Sequence, residues 1–220
     1  MLHVFVETNW LVDCAAPAHN KVPAALDLLH RAREGELQLH LPVICLTEAR
    51  GPLHRKFQPR LYADRVRRFL AWAEEQGTVT PEHAATVRTC LDQLENAVNN
   101  DVRSLDRDLR ELAASPGLEA FPMNEQMLSQ QTDLSLEAMD LKPYDQAILA
   151  CVIVRDQELL QAGEIELVFC ELDSDLQPWD RNGDRKDKLA DLYDRANVWV
   201  YGDYLLESPP MRPDWHHRAR

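Results

Sequence analysis

Two short apolar runs, one near each end of the chain, both stop at acidic residues. The first, His3-Val4-Phe5-Val6, ends at Glu7 and is followed by Thr8-Asn9 and a new apolar segment; the second starts at Glu166-Leu167-Val168-Phe169-Cys170 and runs into Glu171-Leu172-Asp173-Ser174-Asp175. Both have the length and β-branched or aromatic content of buried strands, with the second expected to end near Asp173. Alternation in Leu37-Gln38-Leu39-His40-Leu41 predicts a strand ending at Pro42, and Asn197-Val198-Trp199-Val200-Tyr201 predicts another.

Helical periods fill the intervals. A short helical segment follows Glu7, and a second helix runs from Pro23 to about Glu34, where Gly35 stops it. Residues 43 to 52 predict a helix carrying Glu48, closed by a Gly51-Pro52 loop. A shorter helix is expected from Leu61 to Ala73. After Thr80-Pro81-Glu82, apolar residues step by three and four from Val87 to Leu112 and describe one long amphipathic helix. Tyr144 to Gln161 predicts a helix whose early part, Ala147 to Val154, is apolar on nearly every face and therefore buried. A last helix is expected from about Asp184 to Arg195. Residues 115 to 143, broken by Pro116, Gly117, Pro122 and Pro143, show no readable period.

Strand, helix, strand at the start of the chain favours a parallel sheet with right-handed crossovers. The 220 residues are enough to bury a substantial core. We expect one domain over residues 1–205, a helical insertion at about 55–115 that serves as a hairpin folded back on the domain or, as the lesser alternative, as a protein-binding arm, and a flexible tail at 206–220. The 45% apolar and 28% charged content is ordinary for a soluble globular protein. No apolar stretch approaches the roughly 20 residues needed to cross a bilayer. The start of the chain lacks the basic-then-apolar pattern of a signal peptide, so a cytoplasmic location without membrane attachment is expected. Five scattered cysteines without a CxxC or Cys/His pairing read as buried thiols in a reducing compartment.

A net charge of −13 argues against a general grip on nucleic acid. One stretch reverses the sign: Arg50, Arg55, Lys56, Arg60, Arg65, Arg67 and Arg68 stand against Asp64 alone. Such a stretch serves either as a solvated helix face or as a local phosphate-binding surface.

Four acids occupy strand ends and helices in a way that chemistry can use. Glu7 ends the first strand, Glu48 rides on a helix, Asp145 sits in the first turn of the buried helix, and Asp173 ends a later strand. In a parallel sheet these positions converge on one edge, where carboxylates repel unless a cation offsets their charge. Mg²⁺ or Mn²⁺ prefers such oxygen ligands and keeps waters free for phosphate oxygens. The helix dipole alone also accounts for Asp145. Asp180-Arg181-Asn182-Gly183-Asp184 has some of the oxygens of a calcium loop, but its glycine falls at position four and Asp191 stands at position twelve, so a turn is the better reading.

The order Val-Phe-Val-Glu7-Thr8-Asn9, a helix-borne Glu48, Tyr144-Asp145-Gln146-Ala147-Ile148-Leu149-Ala150 and Glu171-Leu172-Asp173-Ser174-Asp175-Leu176 resembles PIN-domain proteins over roughly residues 1–52 and 140–205. The resemblance implies a three-layer α/β/α sandwich with a central parallel sheet of four or five strands. It also implies a Mg²⁺- or Mn²⁺-dependent endoribonuclease, often the toxin of a toxin–antitoxin pair. On that basis Glu7, Glu48, Asp145 and Asp173 are the catalytic acids; Glu7, Asp145, Asp173 and Asp175 hold metal; Thr8 and Asn9 orient the site. Arg50, Arg55, Lys56 and Arg60 follow Glu48 and are the candidates for RNA phosphates. Expected partners are RNA, an antitoxin protein and a second copy of the chain. Three features depart from the family pattern: Glu7 stands where an Asp is usual, Glu171 and Leu176 stand where Thr and Phe are common, and the insertion adds length. The alternatives are a noncatalytic PIN-like module that binds nucleic acid or protein, and a Mg²⁺-dependent phosphatase of another α/β fold built on Asp173-Ser174-Asp175 with Lys142.

Overall fold

The computed structural model describes residues 1–57, 59–137, 139, 141–164 and 166–206, without the side chains of 59–62. Strands β1 (Leu2–Phe5), β2 (Leu37–Pro42), β3 (Leu118–Phe121), β4 (Glu166–Cys170) and β5 (Trp199–Tyr201) form one all-parallel sheet ordered β3-β2-β1-β4-β5. The chain builds outward from β1 through β2 to β3, then returns to the other side of β1 for β4 and β5. This reversal falls between β1 and β4. In an open parallel sheet, the crevice beyond the carboxyl ends of two such strands is where a ligand is received.

Register fixes which residues share that edge. Phe5 stands opposite His40 of β2 and Phe169 of β4. Two residues further along each chain come Glu7 and Glu171, so the two glutamates leave the sheet side by side. Alternation sends His3, Phe5, His40, Glu119 and Phe169 to one face and Val4, Leu39 and Val168 to the other.

Among the described residues eight α-helices flank the sheet, giving the expected three-layer α/β/α sandwich: α1 (Thr8–Ala15), α2 (Pro23–Arg33), α3 (Val43–Lys56), α4 (Pro59–Glu75), α5 (Pro81–Ala113), α6 (Glu125–Leu136), α7 (Pro143–Gln161) and α8 (Asp187–Ala196). As its sequence predicts, α7 is buried from Ala147 to Val154. The Tyr193 ring of α8 packs on Phe169 with centroids 6.2 Å apart, and the Trp10 indole N–H of α1 donates to the Ala25 carbonyl of α2 at 3.1 Å. Phe5, Phe169, Trp10 and Tyr193 are among the largest fully buried side chains. Helices α4 and α5 run antiparallel, with Arg67 paired to Asp92 and Glu95 and Arg88 to Glu74. Leu105 and Leu109 of α5 enter the common core, which lays the hairpin on α1, α3 and β3. No helix among the described residues is long and apolar enough to cross a membrane.

The segment without a readable period contains both β3 and α6. Gly117 makes the turn into β3 at φ +76°, and a Cβ there would lie 2.1 Å from the Ala32 carbonyl oxygen, so the close approach of α2 admits only glycine. α3 runs to Lys56 instead of closing at Gly51-Pro52. β4 ends at Cys170, short of Asp173, although the Glu171 N–H still donates to the Tyr201 carbonyl at 2.8 Å. At Asp180 the turn reading holds: its Oδ1 accepts from the backbone N–H groups of Asn182 and Asp184 at 2.8 Å each, and α8 starts at Asp187, three residues after the expected start. The expected tail lies outside the described residues from 207 onward.

Candidate functional site

Both central strands end in the same way. Glu7 is the N-cap of α1, and its Oε2 accepts the Asn9 backbone N–H at 2.8 Å; Glu171 Oε1 accepts the Asp173 backbone N–H at 2.5 Å. In each case one carboxylate oxygen satisfies the amide two residues on, which turns the chain away from the sheet. The other oxygen has no such use. Glu7 Oε1 and Glu171 Oε2 are buried without a hydrogen-bond partner, and Asp145 Oδ2 in the first turn of α7 is in the same state. Burying a carboxylate oxygen that nothing satisfies costs free energy, so three such atoms near one edge require an account.

The carboxylates lie within reach of one another's charge. Burial raises the Glu7 carboxyl from its ordinary 4.5 to about 8; the Asn9 N–H opposes this, and the charges of Glu48 and Asp173 add to it. Burial likewise holds the Glu171 carboxyl well above its ordinary value, with Glu7, Asp173 and Asp145 contributing. Asp145 is raised by burial and by Asp173, with Lys142 pulling it down and Glu48 and Asp175 pushing it up. The structure therefore brings Glu7, Glu48, Asp145 and Asp173 into one electrostatic cluster, and Glu171 belongs to it as a fifth member. Among the described residues no three His, Cys, Asp or Glu side chains already converge at metal-ligating distance. The cluster is thus a set of neighbouring carboxylates, not a formed cage.

Neighbouring residues hold these acids in place. The Thr8 hydroxyl donates to Glu48 Oε2, tying the start of α1 to the middle of α3. Asn9 supplies the N–H that caps Glu7, as just described. Of the two residues expected to orient Glu7, Asn9 meets it through its backbone N–H, whereas the Thr8 hydroxyl is turned to Glu48. The buried Cys45 thiol lies against Thr8 and is pushed well above its ordinary range by burial and by Glu7. Around Asp173 the loop is pinned at several points. Asp173 Oδ1 accepts the Asp175 N–H at 2.8 Å, Gln177 Nε2 donates to the Glu171 carbonyl at 2.8 Å, and Tyr193 Oη donates to the Leu176 carbonyl at 3.0 Å. Lys186 Nζ donates to the Ser174 carbonyl.

Asp175 differs from the other acids. Lys142 Nζ lies 2.7 Å from its Oδ2 and draws its carboxyl below the usual range. Asp175 therefore stands at the rim with a counter-ion of its own. Of the cations expected to hold RNA, Arg50 is paired with Asp106 at 3.1 Å and Lys56 with Asp13 at 3.8 Å. Arg55 is exposed at the end of α3, and the Arg60 side chain lies outside the described residues.

Glu171 is the site residue that sequence reasoning missed. Its signal was present, since Leu167-Val168-Phe169-Cys170-Glu171 repeats the pattern of Val4-Phe5-Val6-Glu7, an apolar run closed by a glutamate. No protein-family model and no curated protein matches this chain.

Proposed function

We propose that this protein is a metal-dependent ribonuclease whose reaction centre is the carboxylate cluster at the ends of β1 and β4. One observation carries the reading: the buried, unpartnered oxygens of Glu7, Asp145 and Glu171 sit at the sheet's reversal point, among charges that raise each other's proton affinity. Oxygen atoms alone, in this number and this dry, suit a hard divalent cation such as Mg²⁺ or Mn²⁺. The fold and the order of the acids agree with the resemblance to PIN-domain proteins.

Glu7, Asp145, Asp173 and Glu171 would hold the ion, which supplies positive charge against a phosphate and acidifies water at neutral pH. The protein's own part is to position and exclude. Glu48, held by the Thr8 hydroxyl, takes a proton from or orients the attacking water. Lys142, 71% exposed beside Asp175, is placed to meet a phosphate oxygen at the rim. The fixed loop from Glu171 to Gln177 keeps the acids from relaxing apart. RNA is the substrate in this reading, and the narrower form is a toxin restrained by an antitoxin protein.

The test is cleavage of mixed RNAs with Mn²⁺ and with EDTA, by the natural protein and by Asp145→Asn. Cleavage that needs Mn²⁺ and disappears in the variant, with an unchanged circular dichroism spectrum, supports the proposal. Undiminished cleavage by Asp145→Asn removes Asp145 from the mechanism. A second reading, the noncatalytic module, is favoured by the Lys142–Asp175 pair, which already neutralises one acid; Mn²⁺ binding without cleavage would select it.

A further inference from the structure

The outer face of α4 carries an unusual set of side chains for a protein of net charge −13. Arg65, Arg68, Phe69 and Trp72 fall at i, i+3, i+4 and i+7, so they lie along one helix face. That face points away from α5, because Ala63, Leu70 and Ala73 on the opposite side are buried and Arg67 is spent on Asp92 and Glu95 at 2.7 Å each. Phe69 is 65% exposed and Trp72 53% exposed, yet their rings hold each other with centroids 5.6 Å apart and planes tilted by 34°. Arg65 and Arg68 are exposed and form no ion pair among the described residues; Arg68 Nε touches only the Asp64 backbone carbonyl, at 3.4 Å. The nearest acid on the helix, Asp64, is turned to Arg67.

Two large rings in water are costly, and no packing among the described residues covers them. We infer that this face is a platform for single-stranded RNA, in which Phe69 and Trp72 stack on unpaired bases and Arg65 and Arg68 hold the flanking phosphates. The inference rests on the ribonuclease reading and gives the substrate a second point of attachment, on the helical hairpin, separate from the acid cluster. The chemistry favours this occupant over others. Bases offer π-faces to any aromatic ring, and phosphates need cations free of acid partners, which Arg65 and Arg68 supply beside the two rings. A second copy meeting this face about a two-fold axis would bring four arginine side chains into one interface.

The experiment measures binding of a fluorescein-labelled twelve-nucleotide oligouridylate in EDTA, where cleavage is blocked. Proteins compared are the full natural chain, Phe69→Ala/Trp72→Ala and Arg65→Glu/Arg68→Glu, with thermal melts as the control for folding. Stacking on two bases predicts affinity at least about tenfold weaker for the aromatic variant. The arginine variant should weaken binding and flatten its salt dependence. Emission of the exposed Trp72, isolated by difference from Trp72→Phe, should be quenched by the oligonucleotide. Equal affinity in all three proteins overturns the inference. So does a natural protein that ignores the oligonucleotide but binds anionic phosphatidylserine vesicles, or one that dimerises through Phe69 and Trp72 with RNA binding unchanged. Cleavage is followed separately with Mn²⁺: a protein that binds the strand and cuts nothing loses the ribonuclease reading, and the Phe69 and Trp72 comparison still decides this one.

Discussion

Replacing Glu7 with Gln should stabilise the protein while destroying its proposed activity. In the folded chain the Glu7 carboxyl is raised from 4.5 to about 8, chiefly by burial. A group whose folded value lies above its unfolded one favours the fold fully below pH 4.5, and that contribution is lost as pH rises toward 8. Each pH unit in this window costs about 1.4 kcal/mol, so between pH 4.5 and pH 7 the penalty reaches on the order of 3 kcal/mol. This is an upper limit, because Glu171 beside it carries a raised carboxyl of its own and the pair shares the cost. Gln is close in shape, keeps an oxygen for the Asn9 N–H, and offers an NH₂ where the buried Glu7 Oε1 has no partner. Urea unfolding in EDTA at pH 5, 7 and 9 measures the effect. The variant should nearly match the natural protein at pH 5 and exceed it by up to about 3 kcal/mol at pH 7, a rise of roughly 6–12 °C in melting temperature for a chain of this size. Its stability should also fall less steeply with pH. A variant that is less stable at pH 7, or that keeps the natural pH slope, refutes the claim that this carboxylate is held at a cost to the fold.

Other parts of the molecule give independent tests. His40 is buried between His3, at 2.9 Å, and Glu119, at 2.8 Å, and burial lowers its proton affinity from 6.5 to about 4. Its contribution is therefore present above pH 6.5 and lost as pH falls toward 4, a decline of up to about 3 kcal/mol that thermal melts should show and that His40→Gln should flatten. An equal decline in both proteins would exonerate His40. Gly117→Ala should cost on the order of 3 kcal/mol, because the new Cβ meets the Ala32 carbonyl, whereas Gly35→Ala, at φ +77° with nothing within 4 Å, should cost only about 1 kcal/mol. Similar urea midpoints for these two variants would contradict the close approach at Gly117.

The parts of this fold that could be read from sequence are those whose burial is one-sided or complete. Val4-Phe5-Val6 and Leu167-Val168-Phe169 are central strands with apolar neighbours on both faces, so their composition announces them. The α7 helix does the same through its unbroken apolar start. By contrast, β3 is an edge strand of four residues, Leu-Glu-Ala-Phe, with its two middle residues half-buried and no β-branched side chain. Its signal is too short to stand out between Pro116 and Pro122. α3 continues through Pro52 because the helix loses one N–H there, to the carbonyl of Glu48, and otherwise goes on. At the site, strand ends and helix starts were enough to single out Glu7, Glu48, Asp145 and Asp173, whose charges act on one another in the folded chain. Glu171 escaped notice because its role depends on register: only pairing Phe5 with Phe169 sets it beside Glu7. The ion pairs of Arg50 and Lys56 also lay beyond reach, since Asp106 and Asp13 meet them through tertiary packing.

Calorimetric titration of Mn²⁺ into the EDTA-treated, desalted protein tests the central claim most directly. If the carboxylates of Glu7, Asp145, Asp173 and Glu171 share a divalent ion, Mn²⁺ binds with measurable heat and releases protons at pH 7. The binding heat then varies with the ionisation enthalpy of the buffer, and Glu171→Gln weakens binding at least about tenfold. Absence of binding in the natural protein, or identical binding in Asp145→Asn and Glu171→Gln, would contradict it.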